Sequence, residues 1–389
     1  MLKGYSLIYF APERWDGLWR NRQQLMSRFA KYNKVLFVEP RLHLRPAIAG
    51  IRQGEFPIHE PTLRHISDNL YVFRYPNWAP ISGQTLLHTL TQKIRGQALR
   101  LALKKLDMAD PIVWFSRPGM VSLLDEIPSP KLRIYHVVDE YTAYAGHDEQ
   151  SRRQTEAVER TLLKQVDIVI VVSQNLSDSK SVHNQNTYLV PNGVNYDAYT
   201  AALKEASPPE IFSSIPSPRL GYSGLVGDRL NFSLLKQIAL DHPEWSLVFL
   251  GEARMPQQAP IWEEMLEFAN VHYLGRVDVS EVPHYLNGFD VGLMPYAQTR
   301  EADNISPLKL YDYLAAGLPV ASLSIPAAQS FANHIELAEK PEDFAPAIQR
   351  ALETMTPTAF DRRRAVAQQH TWDARVEQLS DIIDEHLAV

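Results

Sequence analysis

An α/β protein of two doubly wound, Rossmann-like domains is what this sequence predicts, on three observations. Short continuous apolar runs alternate with helix-like stretches, the pattern of parallel strands covered on both faces. A proline- and serine-rich stretch, residues 206–219, interrupts that alternation, which then restarts. At 389 residues the chain also exceeds what a single core of ordinary size organises.

The elements follow in order. In the first half, strands are expected at residues 5–10, 34–38, 70–73, 112–115, 132–138, 167–172 and 188–190. After the interruption they resume from residue 220 and continue at 246–250, 271–274, 291–295 and 319–323. The boundary between domains is placed at 205/206, inside the proline-rich stretch. Residues 371–387 read as a capped amphipathic helix with Val376, Leu379, Ile382 and Ile383 on one side.

Composition narrows the function classes. A net charge of −6 offers no basic excess to neutralise a nucleic-acid backbone. The chain has no cysteine, so disulfides, thiolate zinc sites and cysteine nucleophiles are excluded. The first residues carry no signal-peptide pattern, and no apolar run reaches the ~18–20 residues that span a bilayer. A soluble cytoplasmic protein is the expectation.

In a doubly wound sheet, ligand-contacting residues follow the strand ends. After the first strand, Gly17 permits a tight loop, while Arg20 and Arg22 either bind an anion or decorate a solvated helix start. After the fourth, Arg117 sits in a Ser-Arg-Pro-Gly turn and is either functional or merely exposed. After the fifth comes Asp139, a general base or the N-cap of the next helix. His136, on the same strand, reads as a satisfied core histidine.

Residues 84–106 form a helical stripe of Leu86 or Leu87, Leu90, Ile94, Ala98 and Leu101, with Lys93, Arg100, Lys104 and Lys105 on the other side. Such a helix either rests on anionic lipid or is an ordinary domain helix with a solvated basic face.

In the second half, Gly224 and Gly227 would let backbone approach a pyrophosphate that Arg229 neutralises. Residues 304–320 read as a loop, a helix and a return to strand. There Ser306 is the expected N-cap, Pro307 the first helical residue and Gly317 the stop. Lys309 lies in the first turn and Asp312 one turn later. They face one ligand, a phosphate against Lys309 and a hydroxyl-rich group near Asp312, or they form an exposed pair.

Five motifs then occur in a telling order: Val190-Pro-Asn-Gly-Val-Asn195, Gly221-Tyr-Ser-Gly224, Val271-His-Tyr-Leu-Gly-Arg276, Gly292-Leu-Met-Pro-Tyr296 and Ser306-Pro-Leu-Lys-Leu-Tyr-Asp-Tyr-Leu-Ala-Ala-Gly317. In order and spacing they resemble GT-B glycosyltransferases, nearest to glycosyltransferase family 4 and the bacterial exopolysaccharide and teichuronic-acid transferases. The resemblance implies two domains facing each other across a cleft: an acceptor domain (1–205), a nucleotide-sugar domain (206–370), and a C-terminal helix (371–389) crossing back to the first domain with Trp372 as its anchor. It implies a UDP- or GDP-linked donor as substrate, with no cofactor and no metal, and the chain lacks any Asp-x-Asp triplet.

By the same resemblance, Lys309 and Arg229 bind the diphosphate, and Tyr296 and Glu252 lie near the nucleotide. Asp139 takes the proton of the acceptor hydroxyl, which belongs to a glycan or a lipid-linked sugar. Family 4 enzymes usually carry two glutamates in the donor loop. Here Asn304 and Asp312 stand in those places, and Asn304 can hydrogen-bond but carries no charge. A catalytically silent scaffold and a nucleotide-sugar epimerase are the alternatives on this fold.

Overall fold

The computed structural model describes residues 1–17, 19–41, 62–81, 85–127, 129–143, 148–205, 207–299 and 302–388. Gln84 and Ala206, the first residues of two stretches singled out above, lie outside the described residues, as do the side chains of Leu86 and Leu87. The chain divides into two compact units, and each is discontinuous. The first comprises Met1–Val172, Leu176–Val190 and Arg375–Val389; the second comprises Ser173–Asn175 and Pro191–Ala374.

The first unit holds an eight-stranded sheet built from β1 (Ser6–Phe10), β2 (Lys34–Val38), β3 (Leu63–Ser67), β4 (Leu70–Phe73), β5 (Ile112–Phe115), β6 (Leu132–Val137), β7 (Ile168–Val171) and β8 (Thr187–Leu189). Their order is β3-β4-β2-β1-β5-β6-β7-β8, parallel except where β3 meets β4. The order reverses between β1 and β5, so a crevice is expected outside their carboxyl ends. Central strands such as β5 and β7 are buried along their whole length, which is why they read as unbroken apolar runs. β3 lies at the sheet edge with alternating partial exposure, and its Leu-Arg-His-Ile-Ser sequence gives no such run. Helices of this unit are α1 (Asn21–Phe29), α2 (Thr85–Lys105), α3 (Glu149–Gln165) and most of α4 (Gln174–Ser181).

The second unit is a six-stranded parallel sheet of β9 (Arg219–Ser223), β11 (Ser246–Leu250), β13 (Val271–Gly275), β14 (Val291–Met294), β15 (Val320–Leu323) and β16 (Glu336–Ala338), ordered β13-β11-β9-β14-β15-β16. A two-residue pair, β10 (Val226–Gly227) with β12 (Ala253–Arg254), extends beyond the ends of β9 and β11. The helices are α5 (Tyr196–Ala202), α6 (Phe232–Asp241), α7 (Ala259–Met265), α8 (Val282–Leu286), α9 (Leu308–Ala315), α10 (Pro326–Gln329), α11 (Phe344–Glu353), α12 (Pro357–Gln368) and the start of α13 (Trp372–Leu387). Gly221 and Gly292, inside β9 and β14, have Phe289 and Tyr313 rings where a Cβ would stand. Close packing, rather than turn geometry, requires glycine at both.

Three expectations change. The observed division falls at 190/191, not 205/206, and residues 207–219 are no linker. Phe212 is fully buried against Tyr285 and Phe289, and the Arg219 guanidinium caps the Phe212 and Ile215 carbonyls at 2.8 Å. Their prolines shape a packed turn of the second core. Trp372 is buried in the second unit, where its N–H donates to the Val194 carbonyl at 3.1 Å. The first unit receives the later part of α13 instead, through Val376, Leu379 and Ile383.

The stripe on α2 exists but points the other way. Leu90 and Leu101 are 57% and 60% exposed, while Thr91, Arg95, Leu99 and Ala102 are buried. Arg95 reaches under the helix to donate to the Ala79 and Pro80 carbonyls at 2.9 Å, so a charged residue occupies the inner face. Its aliphatic stem can pack there while its guanidinium bonds to backbone.

A packed turn and a flexible linker differ measurably. Phe212→Ala should destabilise the second unit by about 3–5 kcal/mol, the cost of emptying a buried aromatic site. A urea-unfolding midpoint that does not move would show that residues 207–219 act as a linker after all.

Candidate functional site

The carboxyl ends of β9 and β14 converge with the first turn of α9, and Lys309 sits where they meet. Its Nζ donates to the Tyr296 hydroxyl at 2.6 Å and lies 4.6 Å and 4.8 Å from the ring centroids of Tyr222 and Tyr296. These contacts hold a cation against two aromatic faces. Burial alone would disfavour the ammonium, but the Tyr222, Tyr296 and Tyr313 hydroxyls outweigh it, and the Lys309 pKa is raised.

Backbone geometry brings the chain close to that charge. Gly224, at φ +127°, leaves 3.4 Å between a hypothetical Cβ and the Lys309 Nζ. Gly251, at φ +140°, packs on the Gly224 carbonyl, which a Cβ would reach at 2.0 Å. Two left-handed glycines back to back thus form the floor beside the lysine. Tyr313 closes it from beneath, its hydroxyl accepting the Ser223 N–H at 2.8 Å. Arg229 lies near enough to act electrostatically on Tyr222, and its carbonyl accepts from Ala297 at 2.8 Å. Glu252, just past Gly251, is exposed, and its carbonyl accepts from Val226.

Ser306 is not the N-cap. The helix starts at Leu308 after Pro307, with no side-chain cap. Ser306 instead receives Asn192: its carbonyl accepts Asn192 Nδ2 at 2.8 Å and its Oγ accepts the Asn192 N–H at 3.3 Å. Asn304 is buried, and its carbonyl accepts the Ser173 hydroxyl at 2.9 Å. Asp312 takes a hydrogen bond from the Tyr199 hydroxyl on α5. The structure therefore brings Tyr222, Gly224, Arg229, Tyr296 and Lys309 into one constellation, with Glu252 at its border. It ties Asn304, Ser306 and Asp312 into the unit's own hydrogen bonds.

In the first unit, Asp139 is half-buried just beyond β6. The segment that follows it is anchored from inside. Lys180 of α4 binds the Glu140 and Glu159 carboxylates at 3.0 Å and 2.9 Å, and Glu140 also accepts from the Thr142 hydroxyl at 2.7 Å. Burial pushes the Glu140 pKa up, but Lys180 and Thr142 more than reverse it, so Glu140 stays below the usual carboxylate range. The Tyr141 hydroxyl donates to the Ser116 carbonyl at 2.8 Å.

The arginines of this unit separate. Arg22 is buried and donates to Glu13 at 2.7 Å; Arg20 is partly exposed, and its N–H donates to Gln23 Oε1 at 3.0 Å at the head of α1. Gly17 only turns the loop, its N–H reaching the Arg14 carbonyl at 3.4 Å. Arg117 lies over the Tyr141 ring at 5.5 Å, and its buried Nε has no partner. His136 is in the core as expected but not satisfied. Neither ring nitrogen has a hydrogen-bond partner, and burial, with Arg22 nearby, lowers its pKa to about 4. Among the described residues no group of three or more His, Asp or Glu side chains could hold a metal ion.

Residues 230–354, which include β11, β14 and α9, match the family described as "Glycosyl transferases group 1". A putative teichuronic acid biosynthesis glycosyltransferase, TuaH of Bacillus subtilis (strain 168), is 28% identical over 282 residues, covering 69% of this chain and 70% of that protein. The chain is a glycosyltransferase. Among solved structures, sucrose-phosphate synthase from Thermosynechococcus elongatus superposes with a TM-score of 0.72 at 16% identity, covering 99% of this chain and all of that one. Anabaena HepE, in complex with UDP and glucose, gives 0.65 at 12% identity over 98% of this chain and all of that one. The fold is GT-B.

Reading the sequence of this glycosyltransferase did not assign roles to Tyr222, Tyr313, Tyr199 or Asn192. Both Tyr222 and Tyr313 lie inside the motifs, two residues before Gly224 and four before Gly317. Asp312 carries a pH signature of its own. Burial raises its pKa to about 7, against the opposing pull of Tyr199 and Lys309. The folded state then binds a proton that the unfolded chain, near 3.8, releases earlier. Its stabilising contribution is full below about pH 4 and is lost as pH rises through 7. Asp312→Asn should flatten the fall in melting temperature between those limits; an unchanged slope would place the titrating group elsewhere.

Proposed function

We propose that this glycosyltransferase moves a sugar from a nucleoside-diphosphate donor to a hydroxyl of a glycan or lipid-linked acceptor, in polysaccharide biosynthesis. The observation that carries the reading is the Lys309 ammonium, held beside the left-handed Gly224 at the start of α9. The diphosphate is the leaving group, and its growing negative charge is met by Lys309, by Arg229 and by the free N–H groups of α9. The donor charge is carried in this way without a metal. UDP is the first nucleotide to test, since HepE was solved with it. Tyr296 and Glu252 border the nucleotide, while Asn304 and Asp312 shape the donor loop through their hydrogen bonds to Ser173 and Tyr199.

Asp139 accepts the proton of the acceptor hydroxyl as that oxygen bonds to the sugar's anomeric carbon and the bond to the diphosphate breaks. Arg20, Arg22, Gly17 and Arg117 belong to the acceptor side; Arg22 and Arg117 each keep a buried Nε without a partner, but Arg22 is already bound to Glu13. Transfer explains Asp139 and Lys309 together, where a silent scaffold needs neither.

The exposed face of α2 sets Leu90 and Leu101 beside Lys93, Arg100 and Lys104. That combination suits the surface of an anionic membrane, with leucines entering the headgroup region and cations above it. No described helix is long and apolar enough to cross a membrane.

Two measurements check these assignments. UDP should raise the melting temperature, by preferential binding to the folded state, and Lys309→Ala should abolish the shift. Asp139→Asn should keep the UDP shift and lose at least 100-fold in transfer; full activity in that variant removes Asp139 as the base. Separately, phosphatidylglycerol vesicles should sediment the wild type and not Leu90→Glu/Leu101→Glu. Equal sedimentation of both would free α2 of that role.

A further inference from the structure

A cavity of about 490 Å³ opens at the carboxyl end of the first unit's sheet, where the strand order reverses between β1 and β5. Its size is that of a site for a small organic molecule. The walls are mainly apolar, with Phe10, Val38, Tyr75, Leu123, Tyr141 and Val158 among them. Charge enters through Glu39, Arg41 and Arg117. Arg117 lines the cavity, its guanidinium over Tyr141, and among the described residues it has no carboxylate partner; its Nε is buried and unbonded. The lining carboxylate, Glu39, is already neutralised: Arg74 binds it at 2.6 Å, Arg64 stands at 3.8 Å, and the Trp15 N–H donates to it at 3.1 Å. Arg41, also lining, lies 3.8 Å from Glu126 and donates to Ser122 at 3.0 Å.

A buried donor with no acceptor is costly, and a guanidinium wants an oxyanion on its fork. Apolar walls ask for something else, a hydrocarbon surface to exclude water. We propose that this cavity binds an anionic amphiphile, a phosphate or carboxylate joined directly to an apolar chain, and that this is the part by which the acceptor is recognised. The proposal rests on the transferase reading for the word acceptor and on the cavity alone for the ligand class. Arg117 is then the residue that selects a charged carrier, and the hydrocarbon-lined wall selects a lipid one over a free sugar acid.

Titration calorimetry on the full chain tests it with octyl phosphate below its micelle-forming concentration, and with octanol, inorganic phosphate and glucuronate. Octyl phosphate should bind at least tenfold more tightly than the other three. Arg117→Gln should lose at least tenfold for octyl phosphate and change octanol little, and Val158→Trp, which fills the cavity from α3, should block octyl phosphate. Both variants should keep the UDP shift, which reports that they fold. Equal binding of inorganic phosphate or glucuronate would overturn the apolar half of the inference, and equal binding of octanol the anionic half. No octyl phosphate binding, or binding untouched by either variant, would overturn it whole. If UDP gives no shift while octyl phosphate behaves as expected, the transferase reading fails and the amphiphile site stands.

Discussion

An ammonium group held between tyrosine rings governs the architecture of the second unit. Lys309 could bond to water anywhere on a surface; held where it is, it needs aromatic faces and a hydroxyl to replace that water. Tyr222 is the penultimate residue of β9, Tyr296 follows β14 and Lys309 lies in the first turn of α9, so the contact exists only if two strands stop level and a helix starts beside them. The glycines at 224 and 251 then follow, because both take a left-handed φ that side chains disfavour and a Cβ at 251 would strike the Gly224 carbonyl. Gly292 belongs to the same set, since it makes room for the Tyr313 ring.

Much of this was legible beforehand. Continuous apolar runs mark buried parallel strands, and β2, β4, β5 and β11 match their predicted spans end to end. Lys309 was legible as well, because a helix after a strand end advertises its first turn. What escaped was whatever depends on distant partners. The edge strands β3 and β16 have few apolar residues, and pairing alone makes them strands. The α2 stripe had the right period, but periodicity does not say which side meets the core, and Arg95 with its backbone acceptors reversed it. Proline and serine at 207–219 suggested looseness because composition is blind to a buried Phe212.

The two candidate sites are held by different physics. In the second unit, rigidity comes from glycine contacts and ring packing around one charge. In the first, the segment after Asp139 is moored by a buried ionic cluster, Lys180 between Glu140 and Glu159, with Tyr135 donating to Glu159 at 2.8 Å. Removing one partner from such a cluster leaves an uncompensated buried charge, so it constrains geometry more than it adds stability. Such fixation sets the position of the chain just after Asp139.

The path of the chain has a consequence for how the molecule is made. Residues 375–389 complete the first unit, where Ser380 touches Met1, Gln378 reaches the Leu189 carbonyl and His386 meets the Tyr188 hydroxyl at 2.9 Å. Domains synthesised first generally fold first as the chain emerges. Here residues 1–190 wait for 375–389, whose Val376, Leu379 and Ile383 are buried only after everything between has been translated. Vectorial synthesis thus leaves the first unit to close only after the second has been made, with apolar surface uncovered until residues 375–389 follow.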